Sequence, residues 1–169
     1  SLDESQKRQV ILAKTSADSL LALINDILDF SKIEAGKLEI ENVDFNLRKM
    51  FDSFSESQGL KASEQKVELI VDTSEIKVSS VRGDPSRLRQ ILNNLVGNAF
   101  KFTEQGEIMI RASLDKQGKL YCQISDTGIG IPEGKRATLF DSFTQADTST
   151  TRKYGGTGLG LSITKQLCK

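Results

Sequence analysis

The stretch that decides the fold is PSRLRQILNNLVGNAFKFT, residues 85–103. Asp84 stands before it as an N-cap and Pro85 takes the first helical position, so we expect a helix to begin there. Its apolar residues share one face, made by Leu88, Ile91, Leu92, Leu95, Ala99 and Phe102. The opposite face carries polar residues three or four apart, namely Arg87, Gln90, Asn94, Asn98 and Lys101.

This polar face can be interpreted either as an ordinary solvated surface or as a functional site. Solvation explains Lys101, but it explains two asparagines one turn apart less well, because asparagine is a middling helix former. Gly97 costs a helix about 1 kcal/mol relative to alanine, which indicates that something approaches this face closely. Asparagine oxygens can complete a magnesium shell with phosphate oxygens and water, and a lysine would meet phosphate charge. Taken alone, the set leaves both interpretations open.

Two glycine-rich segments follow. Residues 126–131, DTGIGI, come directly after a strand pattern, where the Asp126 carboxylate can accept from an exocyclic amine and glycines let the backbone turn under a planar ligand. A simple turn with a capping aspartate is the alternative. Residues 155–160, GGTGLG, precede a helix, where free amides favour anions, and a flexible hinge is the alternative. Neither segment fits the P-loop or the dinucleotide fingerprint.

The hydrophobic pattern of the rest of the sequence predicts the other helices and strands. Residues 5–38 predict a long helix whose wide apolar stripe favours a helical bundle or dimer element over packing on its own domain, with Gly36 as a stop or hinge. A second helix is expected at 45–58 and a strand at 67–71. Two strands, 107–114 and 120–126, form a hairpin around a turn at 115–118. An irregular stretch at 132–154 is typical of a functional lid, and a final helix is expected to run to Lys169.

Composition excludes several function classes. The 169 residues include 23 basic and 23 acidic side chains, so no overall positive field favours nucleic acid or a membrane. Two distant cysteines, Cys122 and Cys168, make neither a disulfide framework nor a zinc set and fit a reducing compartment. The chain has no histidine. This excludes nucleophile pairs activated by histidine, histidine metal ligands and a histidine that accepts a phosphoryl group. The longest purely apolar run, 20–24, is too short to span a bilayer. Because the chain starts with Ser1, we expect a piece of a longer protein.

Four motifs in this order resemble those of the sensor histidine kinases. They are the N box in NLVGNAFKFT (94–103), the first glycine box in DTGIG (126–130), the phenylalanine box in LFDSF (139–143) and the second glycine box in GTGLGL (156–161). The helix ending NDILDFSKIEAG (25–36) is similar to the second helix of their dimerisation domain, in wording closest to hybrid kinases.

The resemblance implies an α+β fold, a two-layer α/β sandwich of the GHKL (Bergerat) type with a mixed sheet, preceded by a long N-terminal helix. Residues 1–41 would be the second helix of the dimerisation and phosphoacceptor domain, without the histidine-bearing first helix. Residues 42–169 would be the ATP-binding catalytic domain, truncated at its C-terminus, with the ATP lid at about 132–154.

The resemblance also implies ATP and Mg²⁺ as cofactors and assigns roles to individual residues. Asp126 would accept from the adenine amino group, while Gly128, Gly130 and Ile131 shape the pocket floor and Phe102 lines the pocket. Asn98 would ligate magnesium, with Asn94 and Lys101 as the catalytic candidates near the phosphates. Charge and backbone amides for the triphosphate would come from Arg152, Lys153, Gly156, Thr157, Gly158, Leu159 and Gly160.

The implied function is two-component phosphorelay signalling. The parent protein would transfer the γ-phosphoryl group of ATP to a histidine that this chain lacks, and then to a response-regulator receiver. It would form a homodimer through the helical domain, with this portion in the cytoplasm and the parent anchored to the inner or plasma membrane. The alternatives are an acceptor-less protein-serine kinase of the same fold and a nucleotide-independent pseudokinase or interaction module.

One position separates branches of the superfamily. In the gyrase and Hsp90 branch, a glutamate one turn before the metal asparagine orients the attacking water. This chain has Asn94 there, and an amide cannot act as a general base at neutral pH. We therefore expect slow or absent ATP hydrolysis.

Overall fold

The computed structural model describes residues 2–78, 80–142 and 158–169. The helices described are α1 (Glu4–Glu34), α2 (Leu47–Gln65), α3 (Pro85–Phe102), α4 (Glu133–Arg136) and α5 (Gly160–Leu167). The strands described are β1 (Val43–Asn46), β2 (Val67–Asp72), β3 (Ser80–Gly83), β4 (Gly106–Leu114) and β5 (Leu120–Asp126). None of the helices in this part of the chain combines the length and apolar composition that a membrane crossing requires. The chain forms two compact units, residues 39–139 and residues 1–38 with 140–169.

In the second of these units, α1 confirms the predicted long helix. A capping box begins it, since the Asp3 carboxylate accepts from the Gln6 amide at 2.8 Å and the Asp3 amide donates to the Gln6 side chain at 3.1 Å. The helix ends at Glu34 rather than at Leu38, because the amides of Gly36 and Lys37 turn back to carbonyls of the last turn. Gly36 therefore lies at a helix stop, which is one of the two roles predicted for it. No residue of α1 is buried, although it contacts α5.

The unit of residues 39–139 is a mixed α+β structure built on a three-stranded sheet in the order β2-β4-β5. β2 and β4 are parallel, with Val67 opposite Gly106, and β4 and β5 are antiparallel, with Ile108 opposite Asp126. The predicted strands, the hairpin and the mixed sheet are all confirmed. At the hairpin turn, the Asp115 carboxylate accepts from the amides of Gln117 and Lys119, both at 2.8 Å.

The core of this unit is built by α2, α3 and the sheet. Alternate residues of β4 are buried, as expected for a strand with one covered face. Together with the buried residues of the two helices, they make a single cluster that includes Leu47, Phe51, Phe54, Leu92, Val96, Ala99, Phe100, Ile108 and Ile110. This cluster fixes which way α3 faces.

The buried face of α3 is rotated from the predicted one. Leu92 and Ala99 are buried as expected, but Val96 and Phe100 are buried too, and Phe102 is only half-buried. The reason is that the α-helical period of 3.6 residues places positions 92, 96, 99 and 100 toward the sheet. Asn94, Asn98 and Lys101 stay on the opposite face, as the sequence predicts.

The predicted start of the second helix was wrong. Phe45 lies in β1, opposite Val81 of β3, in a two-stranded antiparallel sheet that the sequence analysis missed. α2 begins at Leu47, because Asn46 caps it by accepting from the Lys49 amide at 2.9 Å. The helix also runs past residue 58 to Gln65.

We expect Phe51→Ala to destabilise the chain by about 3 to 5 kcal/mol, because Phe51 is fully buried and its loss leaves a cavity. Leu60→Ala on the same helix is the control, since Leu60 is 79% exposed and its change should cost no more than about 0.5 kcal/mol. Urea unfolding measures both. Equal effects of the two substitutions would contradict this packing.

Candidate functional site

The end of α3, the start of β4 and the loop after β5 come together in one place, which we call the junction (residues 102–107 and 126–129). The Ile129 amide donates to the Phe102 carbonyl at 3.2 Å, and the Thr127 amide donates to the Glu107 carbonyl at 3.1 Å. The structure therefore brings the end of the N-box-like segment against the DTGIG segment.

Gly128 allows this close approach. A Cβ atom at this position would lie 2.3 Å from the Phe102 carbonyl oxygen and 2.8 Å from its carbonyl carbon. Any side chain would push the loop away from the end of α3 and break the bond from the Ile129 amide. Glycine is thus required at position 128, because the backbone carbonyl of Phe102 leaves no space for a Cβ atom.

Asp126 ends β5 with its carboxylate exposed at the junction. Its Oδ1 accepts from the Gly128 amide at 2.9 Å, which orients the carboxylate. A carboxylate has two oxygens and about four acceptor sites. One bond from Gly128 therefore leaves acceptor capacity for an external donor such as an exocyclic amine.

The polar face of α3 leads toward the junction. Asn94, Asn98 and Lys101 are all half-buried. Apart from the two adjacent residues and the backbone of the helix itself, no described atom lies within 4 Å of a Cβ placed at Gly97. The described part of the chain therefore leaves space beside Gly97, and the close approach predicted there is not made by these residues.

Lys101 contacts the neighbouring aromatic ring. Its ammonium lies 5.1 Å from the centroid of the Phe102 ring, within the range of a cation–π interaction. Partial burial lowers the pKa of Lys101, because it removes water from the charged form. A nearby anion would compensate this loss of solvation.

The loop continues outward from the junction. Gly130 has φ +71°, and the Ile131 carbonyl accepts from the Arg136 side chain at 3.3 Å. Ile129 and Ile131 are 77% and 47% exposed, so the loop that follows Asp126 presents apolar side chains to solvent.

Some of the other predicted residues belong to the other compact unit, and some lie outside the described residues. Gly158, Leu159 and Gly160 belong to the unit of residues 1–38 and 140–169, at the start of α5. Of the predicted lid, the structure describes residues 132–142, which include α4. The predictions for Arg152, Lys153, Gly156 and Thr157 lie outside the described residues.

Sequence reasoning missed the contribution of Thr127 to the junction. Its hydroxyl accepts from the Glu107 amide at 3.0 Å and donates to the Glu107 carbonyl at 3.4 Å. The available signal was a hydroxyl-bearing residue directly after a strand. Its partner, however, lies across the sheet and is visible only in the structure.

Several known proteins are similar to this chain. Signal transduction histidine-protein kinase BarA of Escherichia coli K12 is 46% identical over 170 residues, which cover 98% of this chain and 18% of BarA. Full-length ShkA, solved in complex with AMPPNP, matches with a TM-score of 0.79 and 33% identity over 99% of this chain and 34% of ShkA. The catalytic domain of histidine kinase ThkA matches with a TM-score of 0.61 and 28% identity over 75% of this chain and 79% of that domain.

The family comparison covers the junction and everything after it. Residues 83–169, more than half of the chain, match the family described as histidine kinase-, DNA gyrase B- and HSP90-like ATPase. This range contains α3, β4, β5 and α5, and the solved relatives share the mixed α+β architecture. The chain therefore belongs to the family of histidine kinase-, DNA gyrase B- and HSP90-like ATPases.

Proposed function

We propose that this chain is the ATP-binding catalytic portion of a sensor histidine kinase. The observation that carries the proposal is the oriented Asp126 carboxylate at the junction, where the loop after β5 is bonded to Phe102, one helical turn after Asn98. The kinase names of BarA and ThkA and the AMPPNP complex of ShkA support it.

Asp126 would select the adenine base. The Gly128 amide occupies one carboxylate oxygen, and remaining acceptor sites would receive the exocyclic amine. A 6-oxo purine presents an acceptor at the same position, so two acceptors would face each other without a proton between them. The exposed Ile129 and Ile131 would offer apolar surface to the ring, with Gly130 and Phe102 completing the pocket.

The polar face of α3 would hold the phosphates and the metal. Asn98 lies four residues before Phe102, which is a rise of about 6 Å along a helix. Its amide oxygen is a hard ligand of the kind that Mg²⁺ takes together with phosphate oxygens and water. Lys101, whose ammonium is partly desolvated, would lie against phosphate charge, and Asn94 would contact the same region. When bound, the metal would neutralise and orient the phosphates.

Further phosphate contacts are proposed outside the junction. Gly158, Leu159 and Gly160 stand where α5 begins, and the first amides of a helix favour anions. Gly156, Thr157, Arg152 and Lys153 complete the proposed set from the sequence resemblance alone.

The phosphoryl acceptor must lie outside this chain, since the sequence has no histidine. We propose that the whole protein transfers the group to a histidine on a preceding helix and then to an aspartate of a receiver. Residues 1–41 would belong to a helical domain that forms a homodimer, and residues 42–169 to the catalytic domain with a lid at about 132–154. The exposed apolar residues of α1, including Leu12 and Leu20, support a helical partner.

Asp126→Asn is expected to weaken AMPPNP binding about tenfold or more, because the amide places a donor toward the adenine amine or toward the Gly128 amide. Titration calorimetry measures the affinity. Asp115→Asn is the matched control, since Asp115 also accepts from backbone amides but at the far end of the same hairpin. Unchanged binding by Asp126→Asn would contradict the adenine assignment.

Asn98→Ala is expected to remove the gain in AMPPNP affinity that magnesium confers, while metal-free affinity stays within about twofold. Titrations with and without MgCl₂ separate the two quantities. Asn93→Ala serves as the control, because Asn93 is exposed on the same helix outside the proposed ligand face. A full magnesium effect in Asn98→Ala would rule out Asn98 as the ligand.

The purified chain is expected to hydrolyse ATP far more slowly than about 1 s⁻¹, the lower end of typical enzyme turnover. The physical reason is that Asn94 offers no carboxylate to take a proton from water. Steady-state phosphate release measures the rate, and Asn94→Glu should raise it. Rapid hydrolysis by the unchanged chain would contradict the proposed role of this position.

A further inference from the structure

We propose that Thr127 is a positioning residue that sets the adenine selectivity of the site by holding Asp126 in place. The inference rests on the proposed function, because it concerns the same carboxylate. Thr127 would touch neither the base nor the phosphates and would act only through the backbone next to Asp126.

Thr127 extends the sheet by one residue. The last paired position of β4 and β5 is Ile108 opposite Asp126. Beyond it, the Thr127 amide donates to the Glu107 carbonyl at 3.1 Å, and the Thr127 hydroxyl accepts from the Glu107 amide at 3.0 Å. The hydroxyl therefore supplies a contact that strand pairing alone would not make there. Asp126 is flanked on both sides by residues bonded to β4.

The chain turns immediately after this point. The Gly128 amide bonds the Asp126 carboxylate at 2.9 Å, and the Ile129 amide bonds the Phe102 carbonyl at 3.2 Å. A shift at Thr127 would move both donors and with them the carboxylate. Displacement of a binding group by about 1 Å can cost up to about 100-fold in an enzyme. A small displacement of the backbone at Thr127 is thus sufficient to alter the selectivity for adenine.

Gly106 leaves room for the hydroxyl. A Cβ atom there would lie 2.1 Å from the Thr127 Oγ1, and Gly106 has φ +119°. Thr127 is exposed, as is Glu107, so their contact is not part of the buried core. Exposed substitutions usually change stability by no more than about 0.5 kcal/mol. Selectivity can therefore be measured separately from folding.

The test compares the dissociation constants of the whole chain for Mg·ATP and Mg·ITP, since inosine has a carbonyl where adenine has its amine. Thr127→Val removes the hydroxyl and keeps the branched shape, and it should lower the preference for ATP about five- to tenfold. Thr127→Ser keeps the hydroxyl and should retain the wild-type preference.

Two further variants isolate the contact. Gly106→Ala should lower the preference as Thr127→Val does, because its Cβ displaces the hydroxyl. Gly118→Ala is its control, since Gly118 also has positive φ, at +81°, but a Cβ there meets no atom within 4 Å. Thr73→Val makes the same chemical change directly after β2, whose last residue Asp72 lies opposite Arg111 rather than at the Glu107 end of β4, and should leave the preference unchanged.

A measurement without nucleotide keeps the inference testable if binding is weak. Amide exchange at Gly128 and Ile129 should be about tenfold faster in Thr127→Val, with exchange at Ile110 in the buried strand unchanged. Unchanged exchange at Gly128 and Ile129 would overturn the inference.

The outcomes separate the two proposals. If the wild-type chain binds ATP and ITP equally, or binds neither, the adenine role of Asp126 fails and the inference fails with it. If the wild type prefers ATP and Thr127→Val keeps that preference, the inference alone fails and the proposed function stands.

Discussion

The bond from the Ile129 amide to the Phe102 carbonyl is the contact on which the site depends. It joins the loop after β5 to the end of α3. It can form only because Gly128 carries no side chain, since a Cβ there would lie 2.3 Å from the same carbonyl oxygen. Through this contact, the loop that bonds the Asp126 carboxylate is joined to the end of α3.

The core decides how α3 presents that polar face. Burial of Leu92, Val96 and Phe100 against the sheet fixes the rotation of the helix. Asn94 and Asn98 are consequently turned away from the core. Apolar burial of this kind is the dominant favourable contribution to folding. The proposed ligand positions are thus a by-product of the same packing that stabilises the domain.

Local signals in the sequence were enough to predict several elements. Asp84 and Pro85 mark the start of α3, and the carboxylate of Asp115 forms the hairpin turn that the sequence predicts. The pair of β1 and β3 was missed, because Phe45 and Val81 are far apart in the chain and each strand is short. The start of α2 was misplaced as a consequence, because Phe45 pairs with Val81 in this missed sheet and is not part of the helix.

For the site, the sequence alone determined which residue types are present and in what order, since caps, helical period and motif spacing are local properties. It also determined that the chain has no histidine to receive a phosphoryl group. Only the tertiary structure decided that Gly106 and Thr127 belong to the site, and that Gly128 is required by the backbone of α3. These are contacts between segments distant in the chain, and a spacing pattern carries no information about the separation of atoms across a sheet.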